Sequence, residues 1–384
     1  MKVTGDIKYV GVNDHKIDLF EGQYDVPNGM SYNSYVIIDE KIAVLDTTDA
    51  KFGDEWLSNL EKTLNGRVPN YLVVHHMEPD HSSCINHFMQ KYPSAKVVSS
   101  DKSFLMMKQF FGNDYQENRI IVKENDTLCL GKHTLTFLGA PMVHWPEVIV
   151  SYDSCDKVLF SADAFGKFGA LDYDDEWACE ARRYYFGIVG KYGIQASKLL
   201  EKASKLDIEM ICPLHGPVLK ENLGYYLDLY KKWSSYTPEE AGIVIAYTSV
   251  YGNTKKAVEL LASEIQTLGG VKVVLNDLAR ADMHEAVEDA FRYDRLVLAT
   301  TTYNNDIFPF MREFLEELHE RNYQNRKVAI IENGSWAPQA QKIIRSKLEA
   351  FKNIEILENS VTIRSSVSNE NKAQIKELAK SLVG

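Results

Sequence analysis

Apolar and polar residues follow two different rhythms along these 384 residues. The first fifty or so alternate, as in Ile7-Lys8-Tyr9-Val10-Gly11-Val12, Ser34-Tyr35-Val36-Ile37-Ile38 and Lys41-Ile42-Ala43-Val44-Leu45-Asp46. A period of two marks strands with one face on a core, and Pro27-Asn28-Gly29 and Asp39-Glu40 supply the turns. Trp56 to Leu64 is amphipathic at helical spacing. Further apolar runs at 71–74, 96–98, 120–122, 134–138, 148–152, 157–160 and 210–212, with a mostly helical stretch over 176–205, predict a β-rich sandwich with helices outside. The pattern changes at Tyr236-Thr237-Pro238-Glu239-Glu240, which reads as a linker and divides the chain into 1–238 and 239–384. Beyond it, short apolar strands at 243–247, 271–275, 295–299, 328–331 and 354–357 alternate with amphipathic helices near 255–267, 283–291, 309–320, 337–351 and 369–382. That alternation predicts an α/β doubly wound parallel sheet.

One apolar run breaks into an unusual loop. Tyr71-Leu72-Val73-Val74 is followed by His75-His76-Met77-Glu78-Pro79-Asp80-His81. Burying so many ionisable groups together is expensive unless a metal holds them. Residues two apart on an extended segment point the same way, so His76, Glu78 and Asp80 are expected to share one pocket, with His81 turned to a second metal. His144, Asp163 and His215 each lie at a predicted strand end and would complete the set. A lone histidine is more often a satisfied core or surface residue. That reading is applied to His15, His87, His133, His284 and His319, and His75 is expected to point away from the loop.

The motif H-x-E-x-D-H resembles the metal loop of the metallo-β-lactamase superfamily, whose zinc hydrolases usually carry H-x-H-x-D-H. Here Glu78 replaces the second imidazole with a hard oxygen donor, and mixed His/carboxylate sets suit paired irons. In this form the loop resembles that of the flavodiiron proteins. The resemblance implies an αββα metallo-β-lactamase-like sandwich for the first part. It also implies an iron held by His76, Glu78 and His144, a second iron held by Asp80, His81 and His215, and Asp163 bridging both. Trp145, Tyr185 and Tyr192 are candidates for supporting this centre, with plain aromatic packing an equal alternative.

Three loops at strand ends of the second part point to a mononucleotide. Thr248-Ser249-Val250-Tyr251-Gly252-Asn253-Thr254 opens a helix, and its hydroxyls and backbone N–H groups suit a phosphate. It lacks G-K-[ST] and G-x-G-x-x-G, which disfavours nucleotide hydrolysis and dinucleotide binding. It resembles the phosphate loop of flavodoxins. Thr301-Thr302-Tyr303-Asn304-Asn305-Asp306 and Asn333-Gly334-Ser335-Trp336-Ala337 leave the next strand ends, where such a sheet binds its ligand. Tyr303 and Trp336 are placed to border a flat ring. Many flavodiiron proteins carry Ser-Pro-Thr-Tyr in the first of these two loops, and here Thr301 stands at the proline. The cofactors implied are FMN and two non-haem irons.

Composition narrows the partners. The net charge of −11 argues against nucleic acid, and no apolar run reaches the length of a membrane span. Five scattered cysteines without a C-x-x-C read as reduced thiols of a cytoplasmic protein and leave no fused rubredoxin. The resemblance therefore implies reduction of dioxygen to water, or of nitric oxide to nitrous oxide, with electrons from an external rubredoxin or a reduced deazaflavin. It also implies a head-to-tail homodimer, or a dimer of dimers, that sets each flavin against the partner's irons. The chief alternative is a zinc hydrolase of the metallo-β-lactamase superfamily with a flavodoxin-like appendage. A non-catalytic flavin electron carrier is the second.

Overall fold

The computed structural model describes residues 2–384. It forms two compact units, the first ending at Lys231 and the second spanning Lys232–Gly384. The division falls within the helix Leu223–Ser234, ahead of the predicted linker. The end of that helix is tied forward, since the Trp233 indole donates to the Glu239 carboxylate.

The first unit is a sandwich. One sheet runs in the order Ile7–Tyr9, Tyr35–Ile37, Ala43–Leu45, Tyr71–Val73, Lys96–Ser99, Arg119–Ile121. The other runs Thr127–Cys129, Thr134–Gly139, Ile149–Asp153, Val158–Phe160, Met210–Cys212. Tyr35, Ile37, Leu45, Val73 and Val98 of the first sheet pack with Leu135, Phe137, Ile149, Val158 and Phe160 of the second in one core. Apolar contact between the sheets fixes the register of each strand, because a slip of one residue would turn its core face outward. The helical stretch between the strands Val158–Phe160 and Met210–Cys212 is broken into Trp177–Tyr184, a π-helical turn Tyr185–Val189, a 3₁₀ turn Gly190–Tyr192 and Gly193–Ala203.

The second unit is an all-parallel sheet apart from one short hairpin. Its order is Lys272–Asp277, Glu240–Tyr247, Tyr293–Tyr303, Gln324–Asn333, Lys352–Ile356. Val361–Ile363 extends the last edge beside Gln324–Asn333 and was not among the strands expected from the sequence. The interior strand Glu240–Tyr247 shows no alternation: Ile243, Val244, Ile245 and Ala246 are all fully buried. Helices cover both faces of a sheet of this kind, so both faces are apolar. The strand order with its reversal beside the first strand creates a crevice at the C-terminal strand ends, where ligands bind in such sheets.

Candidate metal centre and flavin cavity

The metal donors sit where sandwich strands end. After Tyr71–Val73 the chain runs as a loop, bending at His75, to Glu78 (φ −58°, ψ 139°) and then makes one helical turn, Pro79–Ser82. Proline is pre-set for the first position of a helix. The turn breaks the two-residue rhythm, so Asp80 does not join His76 and Glu78 as its spacing predicted. It turns with His81 to the other side. Asp163 and His215 follow the neighbouring strands Val158–Phe160 and Met210–Cys212. Gly216, at φ 77°, lets the chain leave His215 in a left-handed turn, where a Cβ would stand 2.6 Å from Lys167 Cγ.

Two donor groups result. In the first, His76 Nε2 lies 3.3 Å from Glu78 Oε2 and 3.2 Å from His144 Nε2, and His144 Nε2 is 3.0 Å from Glu78 Oε2. In the second, His81 Nε2 lies 3.3 Å from Asp80 Oδ2 and 3.0 Å from His215 Nε2, and His215 Nε2 is 3.3 Å from Asp80 Oδ2. Asp163 reaches both. Its Oδ2 is 3.1 Å from His76 Nε2 and 3.3 Å from His144 Nε2. Its Oδ1 is 3.4 Å from His81 Nε2 and 3.7 Å from His215 Nε2.

These groups converge without bonding one another well. Both oxygens of Asp163 and both of Asp80 are buried with no aligned hydrogen-bond partner. Two imidazole nitrogens at 3.0–3.2 Å, as at His81–His215 and His76–His144, can share only one proton, whereas a metal ion between them would take a lone pair from each. Donors about 2.0–2.2 Å from a common metal stand roughly 3.0–3.5 Å apart at ordinary coordination angles. The residues present therefore fit a pair of metal ions sharing one carboxylate, and the nitrogen–oxygen mix suits iron.

The electrostatics agree. Burial pulls the His76 and His144 imidazoles down, but the carboxylates outweigh it. Asp163, Glu147 and Glu78 hold His76 well above the usual histidine range, and Asp163 with Glu78 takes His144 to about 9. Burial raises Asp163 and Glu78, yet the surrounding imidazoles bring both below the usual carboxylate range. Asp80 is pushed up to about 7, chiefly by burial, with Glu78 and Asp163 adding to it and His81 opposing. Burial lowers His215.

A second layer orients the donors. His76 Nδ1 donates to Glu147 Oε1 at 2.8 Å, and the Met77 N–H donates to the same oxygen at 2.9 Å. His215 Nδ1 donates to the Ser31 carbonyl at 2.7 Å. The sequence reading missed Glu147, although an acid directly before the apolar run 148–152 is a usable signal. His75 points away, as expected, between Asp46 Oδ2 at 2.5 Å and Ser151 Oγ at 2.8 Å. The Trp145 ring stands edge-on to His76, with centroids 5.2 Å apart. Two tyrosine rings stand against His215, Tyr184 at 5.5 Å and Tyr32 at 6.0 Å, whereas Tyr192 lies half-buried in the turn Gly190–Tyr192. Tyr185 packs on Tyr230, its ring 5.1 Å away. A cavity of about 250 Å³, lined in part by Phe20, Glu21, Tyr32, Glu78 and Asp80, opens beside the donors.

The three loops of the second unit enclose a cavity of about 600 Å³. Ser249, Val250, Tyr251, Asn253, Thr254, Thr301, Thr302, Tyr303, Asn304, Asn305, Asn333, Gly334, Ser335, Trp336 and Ala337 line it, together with Ser365, which the sequence reading missed. Three expected residues stand outside this lining. Thr248 is fully buried and its hydroxyl pairs with Thr300 Oγ1 at 2.6 Å. Gly252, at φ 85°, caps the helix Asn253–Leu268, and Asp306 binds Arg312 at 2.6 Å. Gly252 offers no capping side chain, so the first turn has N–H groups for an anion. Asn333 ties the loops together, bonding Ser365 through both its amide nitrogen and oxygen at 3.1 and 3.2 Å. Trp336 and Tyr251 are 88% and 92% exposed at this cavity, which a planar aromatic ligand would explain and core packing would not. The cavity fits FMN in volume, in its helix N-terminus and in its aromatic rim.

Comparisons with known proteins agree with both domains. The ODP family beta lactamase model matches residues 30–216, and the flavodoxin domain model matches 244–371. The chain is 29% identical to a nitric oxide reductase of Moorella thermoacetica, over 99% of this chain and 97% of that protein. It is 29% identical to an anaerobic nitric oxide reductase flavorubredoxin of Escherichia coli, over 90% of this chain and 74% of that one. Among solved structures, the rubredoxin oxygen:oxidoreductase of Desulfovibrio gigas superposes with a TM-score of 0.92 at 25% identity, covering 100% of this chain and 97% of that one. The flavodiiron protein of Giardia intestinalis superposes with a TM-score of 0.92 at 25% identity, covering 100% and 96%. With both domain models matched in this order and relatives similar along the whole chain, the chain is an oxidoreductase of the flavodiiron protein family.

Proposed function

We propose that this protein reduces a diatomic gas, nitric oxide or dioxygen or both, at a diiron centre fed by FMN. The observation that carries the reading is Asp163, whose two oxygens face two separate donor groups. The names of the relatives, nitric oxide reductase and rubredoxin oxygen:oxidoreductase, support the same chemistry. When bound, the flavin would supply electrons and the irons an open coordination position that stabilises charge developing on the substrate oxygen. His76, Glu78, His144, Asp80, His81, His215 and Asp163 would hold the irons. The cavity of about 250 Å³ beside Glu78 and Asp80 leaves ample room for a diatomic molecule to reach the donors. Thr254, Ser249 and the first turn of Asn253–Leu268 would hold the phosphate, with Trp336 and Tyr303 beside the ring.

The donor is proposed to be a separate rubredoxin, with a reduced deazaflavin as the alternative, and the protein to work in the cytoplasm, which five free cysteines support. The working unit is proposed to be a head-to-tail homodimer, or a dimer of dimers. The exposure of Trp336 and Tyr251 around the flavin cavity supports a partner covering that face. The test is gas consumption by the iron- and FMN-loaded protein, given reduced rubredoxin anaerobically and then nitric oxide or oxygen. Consumption that depends on both cofactors is expected. A fully loaded protein that consumes neither gas would overturn the proposal.

A further inference from the structure

We infer that Glu147 makes the two irons of this centre electronically unequal, so that the position beside His76 is the harder one to reduce. The inference rests on the diiron reading above. Seen from the donors alone, the two positions are equivalent. Each has two imidazoles, one carboxylate of its own and one oxygen of Asp163. The difference lies behind the imidazoles. His76 Nδ1 donates to Glu147 at 2.8 Å, and both side chains are fully buried. His215 Nδ1 donates instead to a neutral carbonyl, that of Ser31, at 2.7 Å. His81 Nδ1 is buried with no hydrogen-bond partner.

A carboxylate behind a ligating histidine fixes which nitrogen carries the proton and gives the imidazole more anionic character. The fixed Met77 N–H bond to the same Glu147 oxygen keeps that carboxylate in place. The other oxygen, Oε2, is buried without a hydrogen-bond partner from the protein, so no protein donor offsets its charge on that side. Buried negative charge favours the ferric over the ferrous state, which lowers the potential of the nearer iron. One electron added to the diferric pair therefore resides on the His81/His215 position, and the second electron then reduces the iron at His76. Glu147 acts through His76 and is a positioning residue. Its charge, beyond its hydrogen bond, is what sets the order.

The experiment is a dithionite titration of the iron-loaded protein, followed by electron paramagnetic resonance of the half-reduced pair, in the native chain and in Glu147→Gln. Glutamine keeps an acceptor for His76 Nδ1 and removes the charge. The native protein is expected to show two resolved reduction steps with a well-populated half-reduced state. In Glu147→Gln the lower midpoint rises, the steps draw together and the half-reduced signal falls, at unchanged iron content. Glu147→Ala, which removes the acceptor as well, weakens iron binding by about 10–100-fold. Unchanged midpoints and signal in iron-replete Glu147→Gln overturn the inference. If that variant does not hold iron, the native titration decides, because a single step with no half-reduced population overturns it as well. A native chain that assembles no iron pair at all would instead sink the diiron reading itself.

Discussion

Asp163 and His76 lie 3.1 Å apart, both fully buried, yet the Asp163 carboxylate makes no aligned hydrogen bond. Each atom is aimed at a point between them, and the other Asp163 oxygen does the same toward His81. A carboxylate shared in this way offers two anionic oxygens, whereas an amide offers one neutral oxygen. Asp163→Asn is therefore expected to lower iron affinity at both positions, by more than the ~10–100-fold typical of an outer residue. FMN content should stay at one per chain. Iron and flavin analysis of the purified variant checks this, and full retention of both irons would remove Asp163 as the bridge.

The flavin cavity separates two threonines that look alike in the sequence. Thr254 lines it, while Thr248 is turned to Thr300. Thr254→Ala is expected to weaken FMN binding by about 10–150-fold, one charge-assisted hydrogen bond being worth ~1.5–3 kcal/mol, and to leave iron content unchanged. Thr248→Ala is expected to act on stability instead, lowering the melting temperature of the second unit by about 2–4 °C for a loss near 1 kcal/mol. Fluorescence titration with FMN and thermal unfolding of the two variants would distinguish these outcomes. An FMN defect in Thr248→Ala larger than that in Thr254→Ala would contradict the assignment.

Iron uptake should depend steeply on pH. Burial opposes a proton on His144, but Asp163 and Glu78 outweigh it and hold its pKa at about 9, and His76 is held high as well. Metal must displace those protons, so affinity falls as the pH falls below about 9. The expected loss is roughly tenfold per pH unit for each proton displaced. Below about pH 7 Asp80 also takes up a proton, and the dependence steepens. Ferrous binding measured by chelator competition at several pH values reads this directly, and an affinity that does not change across the range would contradict it.

Electron transfer between chains can be tested by complementation. One variant lacks flavin (Thr254→Ala with Asn333→Ala) and the other lacks iron (His76→Ala with Asp163→Ala). Each is expected to be inactive alone. Co-expressed and purified as hybrids, they should recover part of the activity, because in the proposed head-to-tail pair one chain's flavin would meet the other's irons. A fully active monomer, or correctly loaded hybrids without activity, would argue against the dimer.

Much of this centre was legible in the sequence because ionisable residues at strand ends stand out against apolar runs. His76, Glu78, His144, Asp163, His81 and His215 all fall into the expected groups. Asp80 falls where the family resemblance put it, with His81 and His215, and not where the spacing argument did, since a proline at position 79 starts a helical turn and the two-residue rhythm ends there. Pro79 was itself the available signal. Glu147 was hidden by position, looking like the polar lead-in to a strand until the fold brought it behind His76. Thr248 shows the opposite error, a residue in the right motif whose hydroxyl faces the neighbouring strand end. Ser365 was out of reach because the strand before it, Val361–Ile363, is too short to register as a pattern.

The central claim is that one chain holds both a metal pair and a flavin and uses them together. The most direct measurement is metal and flavin analysis of the purified protein, followed by anaerobic reduction and rapid mixing with nitric oxide or oxygen while flavin absorbance is recorded. The account predicts two irons and one FMN per chain, with flavin reoxidation that requires the irons. Bound zinc with hydrolytic activity, or a flavin that reoxidises at the same rate without metal, would contradict it.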